Sequence, residues 1–197
     1  MRLELIPTSQ PLRAAAEALA AEIFRREYGA EVQSFPELMM AVLDDADRPQ
    51  CVASLRDSEN GFFSEQYLDL PIEQAIAAAS GQPVARGDIL ELCALAAARP
   101  GGLLTLMRGF ADIGLASGYR WGLFTATRRL RELSARMRLT LIDLGPARPE
   151  RIADAGRWGS YYLQDPRVCA IDGQPARERL RRASLPCSPA PLAELVQ

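Results

Sequence analysis

The stretch Ile89-Leu-Glu-Leu-Cys-Ala-Leu-Ala96 is apolar except for one acid, Glu91, and this composition predicts a buried strand. The glycine turn Arg99-Pro-Gly-Gly102 follows it. An apolar stripe then predicts a helix from Leu103 to Ser117, and Trp121-Gly-Leu-Phe-Thr-Ala-Thr127 predicts a second strand. A strand, a helix and a strand in this order form a crossover unit, in which the two strands run parallel and the connection is normally right-handed.

Further elements flank this unit on both sides. Helices are predicted over residues 11–28, 71–79 and 128–137, and strands over 38–43, 51–55, 139–144, 158–163 and 168–171. This order predicts an α/β (α+β mixed) fold, in which a mixed sheet is flanked by helices. We expect one domain over residues 1–172 and an Arg-, Pro- and Ala-rich tail over 173–197 that forms a weak helix and a mobile end.

The composition of the 197 residues excludes several kinds of catalytic site. The chain has no histidine, and all 23 basic residues are arginine. The absence of histidine excludes Ser-His-Asp and Cys-His nucleophiles and imidazole zinc sites. The absence of lysine excludes a Schiff-base lysine and the standard phosphate-binding loop. The four cysteines lie far apart in sequence, so we expect no CxxC pair and no metal site. Acid–base chemistry must come from Asp, Glu, Tyr, Cys or bound water.

The charges are unevenly distributed along the chain. Residues 1–98 contain 7 Arg and 16 acids, whereas residues 99–197 contain 16 Arg and 9 acids. The basic half is either a solvated surface or a binding surface for an anionic partner, such as phosphates or an acidic carrier protein. Nucleic acid is not expected as a partner, because aromatic residues do not alternate with the arginines. We predict no signal peptide and no membrane-spanning helix, and hence a cytoplasmic protein without integral membrane association.

Several strings of residues, taken together, resemble the thermostable hemolysin family over about residues 20–171. The most specific are Ser64-Glu-Gln-Tyr-Leu-Asp69 running into Pro71-Ile-Glu73, and Trp158-Gly-Ser-Tyr-Tyr162. The others are Tyr28-Gly-Ala-Glu-Val32, Arg86-Gly-Asp-Ile-Leu-Glu91, the strand from Trp121 to Thr127, Leu144-Gly-Pro-Ala147 and Pro166-Arg-Val168.

This family is similar in fold to the Gcn5-related (GNAT) acyltransferases, an architecture that the order of predicted elements also fits. Its nearest functional relatives are the acyl-homoserine-lactone synthases and N-acyl amino acid synthases. The resemblance thus implies an N-acyltransferase that moves an acyl group from acyl-CoA or acyl carrier protein to a small amine, such as an amino acid or an S-adenosylmethionine-like molecule. The phosphopantetheine or CoA thioester would be a co-substrate, and no cofactor would be bound permanently.

One segment departs from the family pattern. The family tends to have Gly-Asn-Leu-Ala after the strand glutamate, whereas this chain has Cys93-Ala-Leu-Ala96. If the asparagine binds substrate in the relatives, that role is vacant or reassigned here.

Two residues are candidates for catalysis. Glu91 is an acid within an apolar strand. It is either a general base or water-holding group with a pKa raised by burial, or a structural residue, namely an outward-facing acid or the acidic member of an ion pair with Arg86 or Arg120. Tyr67 is a candidate for giving a proton to a thiolate leaving group.

Other residues are candidates for binding the two substrates. The turn before the helix, with Ala98, Arg99, Gly101 and Gly102, is typical of phosphate contacts, although a glycine turn before a helix is also common without any ligand. The predicted substrate-binding set comprises Glu65 and Asp69 as an acidic lip, Arg86, Thr125 and Thr127 on one face of a strand, and Trp158 as the wall of an acyl tunnel together with Tyr161 and Tyr162. The structural alternatives are a capping and turn segment before a helix for the acids, strand propensity for the threonines, and core or edge packing for the aromatic residues. Arg128, Arg129 and Arg131 are either a solvated helix face or a docking site for acyl carrier protein.

Two alternatives to the acyltransferase remain open at this point. One is a cytolysin that acts on membranes without catalysis, which only the family's name supports. The other is a non-catalytic relative that binds acyl-CoA, which the departure at Cys93 and Ala94 supports.

Overall fold

The computed structural model describes residues 1–183, and a seven-stranded mixed sheet forms its centre. The strands are β1 (Arg2–Pro7), β2 (Leu38–Leu43), β3 (Pro49–Arg56), β4 (Ile89–Ala97), β5 (Trp121–Ala126), β6 (Ile142–Pro146) and β7 (Arg167–Asp172), and they lie in the order β1-β2-β3-β4-β5-β7-β6. Within residues 1–183 only β4 and β5 pair in parallel, and every other neighbouring pair is antiparallel. The predicted mixed sheet and its crossover unit are thereby confirmed.

In the described part of the chain, five helices cover the sheet. They are α1 (Arg13–Tyr28), α2 (Ile72–Ser80), α3 (Pro100–Ala116), α4 (Arg128–Arg136) and α5 (Gly173–Arg182). Along β2 the side chains alternate between two cores: Met39 and Ala41 pack with α1, and Met40 and Val42 pack with α3. Burial on both faces explains why β2 has a continuous apolar sequence rather than an alternating one.

At the edges of the sheet one strand was missed and two predicted strands were wrong. The edge strand β1 was missed, because its charged residues Arg2 and Glu4 interrupt the apolar signal. The strand predicted over 139–144 begins three residues later, at Ile142. Residues 158–163 form no strand: 3₁₀ helices occupy Ala155–Trp158 and Tyr161–Gln164, and β7 pairs instead with β5 and β6.

Docking of residues 158–163 onto α1 explains their irregular backbone. Gly159 has φ +52°, and a Cβ atom at this position would overlap the carbonyl oxygen of Tyr28. The next residue, Ser160, donates its backbone N–H to that same carbonyl at 2.8 Å. The segment therefore provides a hydrogen-bond donor for a carbonyl group at the C-terminal end of α1. Its backbone follows the end of this helix and does not pair with a strand.

Helix α5 lies within the predicted tail and packs against α3. Ala176 and Leu180 are buried there, and the Arg108 guanidinium donates to the carbonyl oxygen of Leu180 at 2.8 Å. The weak helix is present over 173–182, and the mobile end predicted after it falls on residues 184–197, which lie outside the described residues.

The parallel strands β4 and β5 separate along their length. They pair only from Ile89 to Glu91 and from Trp121 to Leu123. Beyond this point a gap opens between Leu92–Ala97 of β4 and Phe124–Ala126 of β5, which we call the fork. A bulge in β4 marks the fork. At this point an advance of two residues along β3 corresponds to an advance of three residues along β4, and Ala94 has φ +49°.

The first turn of α3 lies directly on β3, and this contact requires a glycine. A Cβ atom on Gly102 would lie 2.9 Å from the Cβ of Cys51. Close packing on the sheet thus explains Gly102 without any ligand.

We predict that Gly102→Ala lowers the free energy of unfolding by about 1–3 kcal/mol, because the new methyl group overpacks a buried contact. Gly87→Ala is the matched control, since a Cβ at Gly87 meets no atom within 4 Å. Urea unfolding of both variants measures the difference, and equal midpoints for the two would contradict this account of the α3 contact.

Candidate functional site

A cavity of about 390 Å³ passes through the fork from one face of the sheet to the other. On the α1 side its wall is aromatic, and the rings are Phe24, Tyr28, Phe63, Trp158 and Tyr161. On the α3 side its wall is aliphatic, and the side chains are Leu92, Leu103, Met107, Leu130 and Leu133. The cavity therefore has two chemically different ends joined at the fork.

Tilted and edge contacts between rings build the aromatic end. The Trp158 ring lies 5.5 Å from Tyr161, 5.8 Å from Phe63 and 6.1 Å from Phe24, measured between centroids. Trp158 and Tyr161 line the cavity, whereas Tyr162 does not.

Glu91 lies at the narrow end of the fork and has no exposed surface. Its Oε1 accepts hydrogen bonds from the Ser64 hydroxyl at 2.6 Å and the Ser64 N–H at 2.9 Å, and its Oε2 accepts one from the Phe63 N–H at 2.7 Å. Burial raises the pKa of Glu91, and these hydrogen bonds oppose the rise. The predicted alternative of an ion pair is wrong for both partners, because Arg86 binds Glu65 and Arg120 binds Asp172.

Ser64 joins Glu91 to the cavity and was missed as a candidate. Its hydroxyl lies 2.8 Å from the hydroxyl of Thr125, and both side chains line the cavity. The available signal was its position at the start of the SEQYLD string. Thr127 also lines the cavity, but its hydroxyl accepts the Leu130 N–H as the N-cap of α4.

Tyr67 lies on the same 3₁₀ helix as Ser64 (Ser64–Tyr67) and lines the cavity. Its hydroxyl shares a hydrogen bond of 2.8 Å with the hydroxyl of Tyr162. Burial raises the pKa of Tyr67 far above its ordinary value, so the phenol keeps its proton at neutral pH. The side chain thus carries a hydroxyl hydrogen, but its raised pKa makes it a weaker acid than an exposed tyrosine.

The predicted acidic lip is bound to arginines instead. Both oxygens of Glu65 bind the Arg86 guanidinium, at 2.6 and 2.8 Å, and Glu73 binds it at 2.9 Å. Glu65 also accepts the backbone N–H of Ile72 at the start of α2. Asp69 pairs with Arg151 on the surface.

These ion pairs determine what the predicted lip does. None of Glu65, Asp69, Glu73 and Arg86 is among the residues that line the cavity. Their contacts hold the 3₁₀ helix that carries Ser64 and Tyr67 against α2. The structure therefore places Glu65 and Arg86 behind the site, where they support it.

The turn before α3 borders the cavity, since Ala97 and Leu103 on either side of it are lining residues. The Ala98 N–H is bound to the carbonyl oxygen of Gln50 at 2.8 Å, and Arg99 is exposed. Arg99 is the N-cap of α3, and no side chain caps the helix in the described part of the chain. Pro100 has no N–H, and the Gly102 N–H is bound to the Arg99 carbonyl oxygen at 3.2 Å. Among the described residues, the Gly101 N–H is thus the donor of this turn that remains for an anion.

The bulge residues Cys93 and Ala94 also line the cavity. Burial raises the pKa of the Cys93 thiol to about 12, which leaves it protonated and unreactive at neutral pH. Ala94 occupies a left-handed conformation that asparagine tolerates better than alanine does.

The remaining charged groups lie at the cavity walls and on α4. The charged lining residues are Glu31, Arg56, Arg129, Asp154 and Arg157. Of the predicted basic cluster, Arg128 and Arg131 both pair with Asp165, so part of its charge is neutralised. Among residues 1–183, no cluster of three potential metal ligands occurs, and no helix is long and apolar enough to cross a membrane.

We predict that Glu91 makes the stability of the protein fall as the pH rises. Because its pKa is raised in the native state, the folded chain binds more protons than the unfolded chain above about pH 4. Relative to Glu91→Gln, the wild-type protein should therefore lose free energy of unfolding from about pH 4 upward, until the pH passes the raised pKa.

Urea unfolding of both proteins across pH 4–9 measures this difference. Glu178→Gln on the exposed face of α5 is the control, and its curve should run parallel to that of the wild type. Parallel curves for Glu91→Gln as well would contradict the raised pKa.

Comparison with solved structures gives the same fold. The AHL synthase LasI aligns over 93% of this chain and 96% of its own, with a TM-score of 0.63 and 14% identity. The N-acyl amino acid synthase FeeM, from uncultured soil microbes, aligns over 90% and 96%, with a TM-score of 0.57 and 11% identity. The CoA-dependent acyl-homoserine lactone synthase BjaI, solved with SAM and isopentyl-CoA, aligns over 91% and 87%, with a TM-score of 0.57 and 16% identity. At these identities the likeness confirms the predicted GNAT-like fold.

Comparison of sequences assigns the family. No curated protein matches the chain significantly. The sequence model of the thermostable hemolysin family, in contrast, matches residues 6–176, which is most of the chain. The predicted resemblance is confirmed, and the chain belongs to the thermostable hemolysin family.

Proposed function

We propose that this protein is an N-acyltransferase that moves an acyl group from a thioester to a small amine. The observation that carries the proposal is the cavity through the fork, with a buried carboxylate at its narrow end and chemically different walls on its two sides. A reaction between an apolar acyl donor and a polar amine needs two such compartments that meet at one point. The solved structures of similar fold include synthases that join these two kinds of substrate.

The aliphatic end of the cavity suits the acyl chain of the donor. Leu103 and Met107 of α3 face Leu130 and Leu133 of α4 across it, and each CH₂ group buried there contributes about 0.8 kcal/mol of binding. The adjacent turn with Ala98, Arg99, Gly101 and Gly102 then supplies the Gly101 N–H and the Arg99 guanidinium for the phosphates of CoA or phosphopantetheine, because the N–H groups of Ala98 and Gly102 are already bound.

The aromatic end suits the acceptor amine. Rings such as Trp158 and Tyr161 attract an ammonium group through their faces, and Glu31 and Asp154 add negative charge nearby. Arg56 lines the same cavity and adds positive charge there, although its guanidinium also donates to the carbonyl oxygen of Asn60 at 3.2 Å and its charge acts on Glu91. An acceptor that carries both an ammonium and a carboxylate, such as an amino acid or an S-adenosylmethionine-like molecule, matches these charges.

The chemistry needs no covalent enzyme intermediate. The neutral amine attacks the thioester carbonyl, the C–N bond forms, and the C–S bond breaks as the tetrahedral intermediate collapses. Glu91 takes the proton that the ammonium must lose, and backbone N–H groups at the β4 bulge stabilise the oxyanion. The second proton, which leaves nitrogen as the intermediate collapses, reaches the departing thiolate through the Tyr67 hydroxyl, which gives one proton to sulfur and takes one from nitrogen. If the donor is an acyl carrier protein, that acidic protein docks on a basic site formed by Arg128, Arg129 and Arg131.

Turnover assays test the proposal directly. Wild-type protein is incubated with acyl-CoAs from two to fourteen carbons and with amino acids or S-adenosylmethionine, and the amide product is detected by mass spectrometry. We expect Glu91→Gln to lower kcat about 100-fold or more, because general bases contribute this much, while Glu178→Gln retains full activity. Binding of acyl-CoA without any amide product would instead favour the non-catalytic relative, and leakage of lipid vesicles with protein alone would favour a cytolysin.

Narrowing the aliphatic end should change the choice of donor. We expect Leu130→Trp to lower kcat/KM for long acyl donors about tenfold or more and to leave acetyl-CoA turnover nearly unchanged, since the larger side chain fills space that only a long chain needs. Leu163→Trp is the matched control, because Leu163 is 82% exposed. An unchanged donor profile for Leu130→Trp would place the acyl chain elsewhere.

A further inference from the structure

We propose that the hydroxyls of Thr125 and Ser64 form a relay that carries the acceptor's proton from the cavity to Glu91. The inference rests on the proposed acyltransferase function and deepens it. It assigns Thr125 as the catalytic group that touches the amine, with Ser64 and Glu91 acting behind it.

Glu91 has no direct contact with the cavity. Its side chain has no exposed surface, and it is absent from the residues that line the cavity. Its two oxygens already accept three hydrogen bonds from Phe63 and Ser64. A substrate ammonium in the cavity therefore needs another group to reach this carboxylate.

The hydrogen-bond directions are determined by the carboxylate. An ionised Glu91 only accepts, so the single hydroxyl proton of Ser64 points to Oε1 at 2.6 Å. The Ser64 oxygen must then accept from the Thr125 hydroxyl at 2.8 Å. The lone pairs of Thr125 are left for a donor in the cavity, which is the arrangement that an ammonium N–H requires.

The proton balance of the step is complete. The ammonium gives a proton to the Thr125 oxygen, Thr125 gives its own proton to Ser64, and Ser64 gives its proton to Glu91. The products are a neutral amine and a protonated Glu91, and all three hydrogen bonds are kept with their directions reversed. The regenerated Thr125 hydroxyl then donates toward the amine nitrogen.

Among the groups around Glu91, Glu91 itself is the final acceptor of the proton. Arg56 faces it from β3, and its positive charge favours the ionised form. Cys93 on β4 and Tyr67 on the 3₁₀ helix have raised pKa values, so both are neutral near pH 7. Ser64 and Thr125 do not titrate in this range.

The relay is tested by removing and restoring one hydroxyl. We expect Thr125→Val, which keeps the shape, to lower kcat about 100-fold with little change in KM for the acyl-CoA, and Thr125→Ser to restore kcat to within about threefold of the wild type. Ser64→Ala should match Thr125→Val, and the double variant should be no worse than either, because both break one chain. Thr105→Val on α3 is the control, since Thr105 does not line the cavity.

The pH profile separates a relay from a structural role. In the wild type kcat should rise with pH through the ionisation of Glu91, and in Thr125→Val this limb should disappear because the base is disconnected. Melting curves check that the variants fold, and Ser64→Ala decides the matter if Thr125→Val does not fold. The relay is overturned if Thr125→Val and Ser64→Ala keep near wild-type kcat and an unchanged acidic limb while Glu91→Gln is impaired. In that case the proposed acyltransferase function still stands. A wild-type protein that acylates no amine overturns the proposed function and the relay with it.

Discussion

The buried carboxylate of Glu91 is the constraint on which the site depends. An unpaired charge in an apolar strand costs several kcal/mol, and here three hydrogen bonds from Phe63 and Ser64 compensate for it. Those donors are available only if the 3₁₀ helix Ser64–Tyr67 docks at the fork. The ion pair between Glu65 and Arg86 holds that helix, so residues behind the site fix the position of residues within it.

The separation of β4 from β5 supplies the second requirement, which is space. Parallel strands that paired along their whole length would close the sheet between Cys93 and Thr125. The bulge at Ala94 bends β4 away, and it requires a left-handed residue where alanine is strained by about 1 kcal/mol. The position thus has a conformational requirement that would be met by asparagine or glycine, whatever substrate contact the asparagine of relatives makes.

The sequence predicted the elements whose signal is local. The apolar strand with Glu91 and the following helix were recognised because burial leaves a pattern in consecutive residues. The edge strand β1 and the 3₁₀ segments after residue 155 were missed, because pairing and docking with distant residues determine them. Ser64 was missed for the same reason: its partners Glu91 and Thr125 lie 27 and 61 residues away in sequence, and only the fold brings the three together. Glu65 and Arg86, in contrast, were predicted to bind substrate because they are charged, whereas in the structure they form an ion pair with each other.

The central claim is that donor and acceptor meet at the fork. A crystal structure with a non-hydrolysable thioether analogue of octanoyl-CoA tests it most directly. The account predicts the acyl chain between α3 and α4 against Met107 and Leu130, with the thioether end within hydrogen-bonding reach of the Thr125 region and the pyrophosphate at the start of α3. An analogue bound outside the cavity, with the fork left empty, would contradict the account.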